Sequence, residues 1–295
     1  TGSPGRRQGV LVLVNPISGR GRGAQAVEPL IRAFRGQGLE ARVELLPGPD
    51  AARDLVERLA GPYGAVVAVG GDGTINDVAA ALLEAGGGRP LGLIPLGLSN
   101  CLARHLGLPW DMNRAAAVIA AGRTVRLDAG RVGRRVVVSF LGAGLDGAVV
   151  DRVARARKGG IRDRDYVKAA AVVLLGRRPG QMHVIVDGIP VQGRFYQVIL
   201  SQVTNYAHYF PLPQEPGFRA YMFAGTGRAA LPRTLLKSGP ARRIGRAADV
   251  VRTIRREIEI HADEGPAFFQ IDGEAGGRLP AICRVEPGAI EVFAP

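Results

Sequence analysis

The residues best suited to chemistry lie in a glycine-rich loop at 70–76, GGDGTIN, directly after an apolar run at 65–69. Glycines let a backbone approach a ligand closely, because no Cβ is in the way. We expect a helix to begin at Thr74, so that its unpaired N–H groups and the positive end of its dipole face a phosphate. Asp72 would repel a bare anion in this loop. An acid beside a phosphate site therefore indicates a divalent cation or a proton acceptor, and phosphoryl chemistry rather than passive binding.

Two further loops of small residues follow predicted strands. A strand at 10–14 ends in a loop that contains Asn15, Ser18 and Gly19, and a strand at 91–95 ends in a loop that reaches residue 100. Ligands bind at the carboxyl ends of the strands in parallel sheets, so the three loops could converge on one ligand. One such loop alone would be only the strand-to-helix turn of any α/β protein.

The elements that must position these loops alternate between strand and helix up to residue 123. This alternation predicts an α/β domain with a doubly wound, mainly parallel sheet. From residue 124 the pattern changes to strands separated by turns, with one predicted helix at 165–175. We expect a nucleotide-binding α/β domain at 9–123, a mainly-β, sandwich-like lipid or substrate domain at 124–285, and a terminal segment at 286–295 that returns towards the first domain.

The composition favours an anionic partner. The 295 residues carry a net charge of +13, and only three of the 39 basic residues are lysine. Such a chain attracts nucleotides, nucleic acids or an anionic membrane. Two basic runs, at 152–164 and 242–256, could each dock on an anionic leaflet or be a solvated face.

Several other classes of function are disfavoured. Two cysteines are too few for a disulfide framework, and four scattered histidines indicate neither a metal site nor a catalytic triad. No apolar run approaches the ~18 residues of a spanning helix, and the first residues lack a signal core, so we expect a cytoplasmic protein. GxxxxGK[ST] is absent, and the GxGxxG at 142–147 predicts a tight turn rather than a dinucleotide site, because no βαβ unit surrounds it.

Four segments, in order and spacing, resemble the diacylglycerol kinase catalytic-domain superfamily, which includes bacterial soluble lipid kinases, sphingosine kinases and ceramide kinases. They are NPISG at 15–19, GGDGTINDV at 70–78, PLGLSNCLAR at 95–104 and IDGE at 271–274. The resemblance runs from about residue 10 to residue 295, and NAD kinases are more distantly similar. It implies a two-domain kinase with ATP and Mg²⁺ in the cleft between the domains.

The resemblance also implies nucleotide-binding residues. Asn15, Ser18 and Gly19 would border the nucleotide, and Asn76 would brace the loop that wraps its phosphates. The remaining nucleotide-binding residues implied are Gly70, Gly71, Asp72, Gly73, Thr74, Gly97 and Asn100. Leu98 stands where relatives usually have a hydroxyl residue, which bears on the affinity for ATP or the choice of nucleotide.

In the second half the family's acidic pair corresponds to Asp272 and Glu274. Asp272 would accept the proton of the substrate hydroxyl, and Glu274 would help to hold Mg²⁺ or orient the phosphates, although Asp-Gly is also a common hairpin dipeptide. Asp72 would belong to the shell around the metal and phosphates. Relatives are also described with the acid equivalent to Asp72 as the base, and the sequence leaves this choice open.

Two more acids match family positions. Asp128 would lie near the hinge and Asp146 near the lipid headgroup, or both would be residues of strand-end turns. The family's second, structural Mg²⁺ is held by aspartates that 205–220 lacks, so we expect that metal to be absent.

The combined prediction is an ATP-dependent kinase that phosphorylates a hydroxyl of diacylglycerol or of a sphingoid or ceramide-like lipid. It would be cytoplasmic, associate peripherally with an anionic membrane, and have no nucleic-acid partner. Headgroup, acyl chains and oligomeric state, including a homodimer, stay open. The alternatives are phosphorylation of a soluble acceptor such as NAD, and a non-catalytic regulator that binds nucleotide or lipid.

Overall fold

The computed structural model describes residues 9–48, 51–156, 163–176, 180–207, 209–213, 215–225, 230–241, 243–263, 265 and 267–295. Parts of both basic runs, namely 157–162 and residue 242, lie outside the described residues. The chain divides into two compact units. The first comprises the residues up to Leu127 together with Gly288–Pro295, and the second comprises Asp128–Pro287.

The first unit alternates strands and helices. Its elements are β1 (Gly9–Val14), α1 (Ser18–Gln25), α2 (Val27–Gly36), β2 (Glu40–Leu45), α3 (Ala51–Leu59), β3 (Ala65–Gly70), α4 (Asp72–Glu84), β4 (Leu91–Pro95), α5 (Cys101–His105) and α6 (Met112–Ala121). Two strands run through the boundary between the units, β5 (Thr124–Val132) and β17 (Ala281–Phe293).

The sheet of the first unit is parallel, in the order β2-β1-β3-β4, and Val292 of β17 extends it beside Leu91 of β4. β1 and β3 are apolar throughout and buried, as expected for strands covered on both faces. One face packs on α2 and α6, while α3 and α4 pack on each other and α4 packs on β3. Because the helices cover the faces of the sheet, the carboxyl ends of the strands are followed by loops at its edge.

The second unit is mainly β. Its remaining strands are β6 (Arg135–Val137), β7 (Phe140–Gly144), β8 (Met182–Val186), β9 (Ile189–Ser201), β10 (Asn205–Tyr206), β11 (Phe210–Pro211), β12 (Arg219–Ala224), β13 (Val250–Thr253), β14 (Glu257–Ala262), β15 (Phe268–Ile271) and β16 (Glu274–Arg278). Its helices are α7 (Leu145–Ala156), α8 (Asp163–Gly176), α9 (Ala230–Ser238) and α10 (Ile244–Ala247).

Its main sheet is antiparallel, in the order β16-β15-β7-β9-β8-β14-β17. The 13-residue strand β9 holds it together, because it pairs with β8, β7 and β12. Phe195, Phe218 and Met222 belong to the buried core that these strands enclose. The prediction of an α/β domain followed by a mainly-β domain is confirmed.

Details of the sequence-based prediction were wrong. Helix α4 begins at Asp72, two residues before Thr74, and the second unit contains α7, α9 and α10 besides the predicted helix at 165–175, which is α8. The expectation that no βαβ unit surrounds the GxGxxG is confirmed, because β7 is antiparallel to both neighbours. The motif lies at the junction of β7 and α7. Within the described part of the chain, every helix is too short or too polar to cross a membrane.

Candidate active site

The three glycine-containing loops of the first unit follow β1, β3 and β4, which are parallel neighbours. They therefore start at the same edge of the sheet. The second loop leads into α4, whose N-cap residue Gly71 is extended and offers no side-chain cap. A helix that begins in this way presents first-turn N–H groups without intrahelical partners, which suits an anion.

The second and third loops approach each other closely through backbone atoms. A Cβ at Gly97 would lie 2.4 Å from the Cα of Gly71, and a Cβ at Gly70 would lie 2.5 Å from Oγ1 of Thr74. The backbone N–H of Leu96 donates to the carbonyl of Gly70 at 2.8 Å. Only glycine fits such a close approach, so these glycines fix the relative position of the two loops.

The first loop joins the same cluster. Nδ2 of Asn15 donates to Oγ1 of Thr74 at 3.0 Å. Gly19 has a φ of +62°, and a Cβ there would lie 3.0 Å from the carbonyl oxygen of Leu96. Ser18, the first residue of α1, is partly buried beside it. The structure thus brings together the three loops that the sequence singled out.

Asn100 and Asp72 hold this cluster from within. Asn100 is fully buried with a φ of +45°, and its amide group accepts from the N–H of Gly97 at 3.1 Å and donates to the Gly97 carbonyl at 2.7 Å. The carboxylate of Asp72 accepts the N–H groups of Asn100 and Cys101 at 2.8 and 2.6 Å. Both side chains therefore position backbone, and Asp72 ties the start of α4 to the start of α5.

The remaining residues of the loops have plainer positions. Gly73 and Asn76 lie in the first two turns of α4, and Asn76 is partly buried. Leu98 is half-exposed, as expected for a residue without a partner role in the loop cluster. Its side chain offers no hydrogen-bonding group.

Asp72 is the acid of the first unit that could contribute to a Mg²⁺ site. Its two oxygens accept the N–H groups of Asn100 and Cys101, which fix the orientation of the carboxylate. Among the described residues no group of three or more His, Cys, Asp or Glu side chains could hold a metal. Mg²⁺ often binds through one or two carboxylates and otherwise through phosphates and water, so this donor set fits an ion carried by a nucleotide.

In the second unit, Asp272 and Gly273 form the two-residue turn between β15 and β16, with φ values of +50° and +89°. Positive φ at both central residues is typical of a type I′ hairpin turn. The Asp272 carboxylate is nevertheless buried, at 5% exposure. It accepts the N–H groups of Val138, Ser139 and Phe140, each at 2.8 Å. The turn therefore orients the acid inwards, where it holds the segment between β6 and β7.

Two buried glutamines lie between the Asp272 turn and the segments that carry Asp146 and Asp128. Gln270 accepts the N–H of Gly273 at 2.8 Å, and its amide group approaches Asp146 at 3.4 Å. Gln202 donates to the carbonyls of Asp128 and Val138 at 2.8 and 2.6 Å. Gln270 thus links the turn that carries Asp272 to the Asp146 carboxylate. Gln202 links the backbone of Asp128 to Val138, whose N–H the Asp272 carboxylate accepts.

Asp146 is the centre of a second set of hydrogen bonds. Its carboxylate accepts from Nε2 of Gln197 and from the N–H of Gly147, both at 2.7 Å, and from the hydroxyl of Tyr206. Burial raises the pKa of Asp146, and these hydrogen bonds oppose the rise. A Cβ at Gly142 would overlap the carboxylate, so the first glycine of the GxGxxG makes room for this acid.

Glu274 differs from the other acids because it is exposed. Its Oε2 lies 3.8 Å from Nη2 of Arg135. Nη1 of the same arginine donates to the carbonyl of Ala275 at 2.6 Å. An exposed pair at this distance contributes little stability. Glu274 can therefore change partner readily.

Sequence reasoning missed Gln197, Gln202 and Gln270. Each is at most 6% exposed, and each lies in or next to the buried part of a strand. A glutamine inside an apolar strand, two residues before an Asp-Gly turn, was the available signal for Gln270. Nothing in the sequence identifies its partner Asp146, which is 124 positions away.

The chain is similar in sequence to proteins named as diacylglycerol kinases and lipid kinases. A model of the diacylglycerol kinase catalytic domain matches residues 9–132. A "Probable lipid kinase YegS-like" of Klebsiella pneumoniae is 36% identical over 117 residues, which are 39% of each chain. A diacylglycerol kinase of Mycobacterium tuberculosis is 33% identical over 187 residues, 61% of this chain and 59% of that protein. The chain thus covers less than two thirds of the length of these relatives.

Solved structures extend the likeness of fold to the whole chain. A putative diacylglycerol kinase from Bacillus anthracis has a TM-score of 0.76 at 17% identity, and the match covers 100% of this chain and 98% of that one. Yeast NADH kinase, complexed with NADH, has a TM-score of 0.52 at 12% identity, with 100% of this chain and 88% of that one covered. At these identities the likeness concerns the fold.

Proposed function

We propose that the chain is a member of the diacylglycerol kinase catalytic-domain superfamily, whose domain model matches residues 9–132, and that it is an ATP-dependent lipid kinase. It would transfer the γ-phosphoryl group of ATP to a hydroxyl of diacylglycerol or of a sphingoid or ceramide-like lipid. The relatives named as diacylglycerol kinase and lipid kinase support this class of substrate.

One observation carries the proposal. Three loops that follow parallel strands meet through Asn15–Thr74 and Gly71–Gly97 contacts, next to the uncapped start of α4. A triphosphate would bind there, because glycines give the phosphates access to backbone N–H groups and the helix favours negative charge. Ser18, Gly19, Gly70, Gly73, Asn76 and Asn100 would complete the nucleotide site.

The acids would divide the remaining tasks. Asp272 would accept the proton of the lipid hydroxyl, with Asp72 as the alternative base. Asp72 and Glu274 would help to hold Mg²⁺, which supplies neutralisation of phosphate charge when it is bound. Asp128 and Asp146 would lie on the lipid side. Since phosphoryl transfer has a loose transition state, positioning by the fixed loops matters more than early deprotonation.

A second candidate activity is phosphorylation of a soluble acceptor such as NAD. The fold is similar to that of yeast NADH kinase, so NAD is included among the acceptors in the assay. The third is a regulator that binds nucleotide or lipid without turnover. Leu98 favours it, because this residue stands where the family that the chain resembles usually has a hydroxyl residue. Retained Asp72, Asp272 and Glu274 oppose it.

The test is an assay of the purified chain with ATP, Mg²⁺ and a panel of acceptors. Diacylglycerol, sphingosine and ceramide are supplied in mixed micelles, and NAD is supplied without detergent. We expect a phosphorylated lipid and no NADP. Folded protein that binds ATP and phosphorylates no lipid hydroxyl contradicts the proposal, and formation of NADP instead supports the second candidate.

A further inference from the structure

The second unit contains a segment with a strong excess of positive charge. Residues 216–256 include ten arginines and lysines and a single acid, Asp249. Their excess of nine positive charges is most of the chain's net +13. Such a local field attracts an anionic surface, and the attraction weakens as salt is added.

Helix α9 in this segment exposes two adjacent leucines. Leu235 is 44% exposed and Leu236 is 83% exposed. The opposite face of the helix is anchored, because Thr234 is buried and accepts a hydrogen bond from the hydroxyl of Tyr196 at 2.7 Å. The fold therefore holds the leucines outwards, and contiguous exposed apolar surface rimmed by polar residues is a mark of interaction sites.

Basic side chains lie next to these leucines. Arg233 and Lys237 are exposed on the same helix, and Arg243 and Arg246 are exposed at α10, which packs on α9. The N–H of Arg243 donates to the carbonyl of Ser238 at 3.1 Å, which fixes the two helices together.

The single acid of the segment is already engaged. Oδ1 of Asp249 lies 2.6 Å from Nζ of Lys237, and Oδ2 accepts the N–H of Ala224 at 2.9 Å. Asp249 therefore neutralises one cation of the segment, and Glu215, just before the segment, pairs with another, Arg219. The other arginines keep the segment positive.

We propose that α9 and α10 dock the protein on an anionic lipid bilayer. Leu235 and Leu236 would insert between the lipids, and Arg233, Arg243 and Arg246 would lie at the headgroups. An amphipathic helix with apolar residues on one side and cations beside them binds in this way. The inference rests on the proposed function, because a lipid kinase must reach its substrate in a membrane.

Charge also argues against a second copy of the chain as the partner. In a two-fold dimer built on this surface, the same patch faces itself. The arginines of one copy would then lie opposite those of the other. A bilayer that contains phosphatidylglycerol offers the opposite charge together with an apolar interior.

The experiment measures sedimentation with vesicles of phosphatidylcholine alone and of phosphatidylcholine with phosphatidylglycerol. We expect binding to the anionic vesicles that falls with salt. Leu236→Ser should weaken it about tenfold, from the loss of one buried leucine. Arg233→Gln should weaken it about fivefold, as expected for one basic residue at the surface. Ile189→Ser is the matched control, because Ile189 is 71% exposed in the same unit but outside the basic segment, and it should bind like the wild type.

Unchanged binding by Leu236→Ser overturns the proposal, and so does equal binding to neutral and anionic vesicles. A change of molar mass in Leu236→Ser, measured by light scattering without lipid, also overturns it, because the leucines then serve self-association.

A second assay separates this proposal from the proposed function. Leu236→Ser should keep its rate on a short-chain diacylglycerol dissolved as monomers and lose rate on vesicles. If Leu236→Ser binds vesicles more weakly than the wild type, but the wild type phosphorylates no lipid, the docking surface is supported and the kinase function is contradicted. Loss of rate on the dissolved lipid would assign Leu236 to the folding or chemistry of the protein and overturn the docking role.

Discussion

Asp272 and Asp187 occupy the same position in two Asp-Gly hairpins of the second unit. Their φ values are +50° and +51°, and each is the first residue of a two-residue turn. Each carboxylate accepts three backbone N–H groups, from 138–140 for Asp272 and from 255–257 for Asp187. Asp272 is buried, whereas Asp187 is partly exposed. The geometry of the turn therefore does not distinguish a catalytic aspartate from a structural one, and Asp187 is a matched control for Asp272.

Asp272→Asn should lower the phosphoryl-transfer rate by about 10²–10⁴, the usual contribution of a general base. It should also lower the free energy of unfolding by about 1–3 kcal/mol, because an amide NH₂ replaces one acceptor of a buried backbone N–H. Asp187→Asn changes the same kind of turn and should leave the rate unchanged. Steady-state kinetics and urea unfolding measure both effects. A full rate in Asp272→Asn would limit this acid to holding the segment between β6 and β7.

Gln270→Leu should lower kcat while the affinity for ATP stays constant, because Gln270 holds the N–H of Gly273 in the turn that carries Asp272. Gln197→Leu is the control, since Gln197 also donates to Asp146 but belongs to β9 and not to that hairpin. Both variants should lose about 1–3 kcal/mol of stability, from buried polar groups left unpaired. Equal kcat values in the two variants would show that Gln270 acts only through stability.

Gly97→Ala should disrupt the loop cluster of the first unit. The added Cβ would lie 2.4 Å from the Cα of Gly71, so one loop must move. We expect ATP to bind at least about tenfold more weakly, since small displacements of positioning groups have large effects. Overpacking should also cost about 1–3 kcal/mol of stability. Calorimetric titration with ATP measures the affinity.

Gly36→Ala is the control for this change, because a Cβ at the end of α2 meets no atom within 4 Å. It should leave ATP affinity unchanged and keep or raise stability. If Gly97→Ala binds ATP like Gly36→Ala, the loops of the first unit are not the nucleotide site.

The pH dependence of stability should distinguish Asp146 from Asp187. Burial raises the pKa of Asp146, so its folded state keeps a proton that the unfolded state has lost. This group therefore removes stability as the pH rises from about 4, and Asp146→Asn should abolish that loss. Urea unfolding at several pH values between 4 and 8 measures it.

Asp187 should show the opposite sign. Partial burial alone would raise its pKa, but the backbone N–H groups of 255–257 lower it below the usual value. Asp187 therefore contributes stability that is present above the pKa of the unfolded chain and is lost as the pH falls through the folded pKa. The difference between wild type and Asp187→Asn should shrink on acidification. The same pH trend in both variants would contradict these assignments.

The sequence predicts what short-range chemistry determines. The glycines at 70–73 sit between an apolar strand and a helix, and the structure has that arrangement, with α4 starting at Asp72. The parallel direction of β1, β3 and β4 follows in the same way from their alternation with helices. Close approach without a Cβ requires glycine locally, so the three loops were recognisable.

Long-range partners were not predictable from the sequence. Asp272 meets the N–H groups of residues 132 to 134 positions away, and Gln270 meets Asp146 across 124 positions. Helix α7 was missed because its first residues complete a glycine-rich motif that is typical of turns. The apolar and polar periodicity of one segment contains no information on which distant backbone a carboxylate will hold.

The most direct measurement of the central claim uses ATP labelled with heavy oxygen in its γ-phosphate, Mg²⁺ and diacylglycerol in mixed micelles. Mass spectrometry then follows the label in lipid and in inorganic phosphate. The label should appear in a phosphorylated lipid with the wild type and with Asp187→Asn, and at a greatly reduced rate with Asp272→Asn. Label found only in inorganic phosphate, or a lipid product formed equally by all three proteins, would contradict a lipid kinase that depends on Asp272.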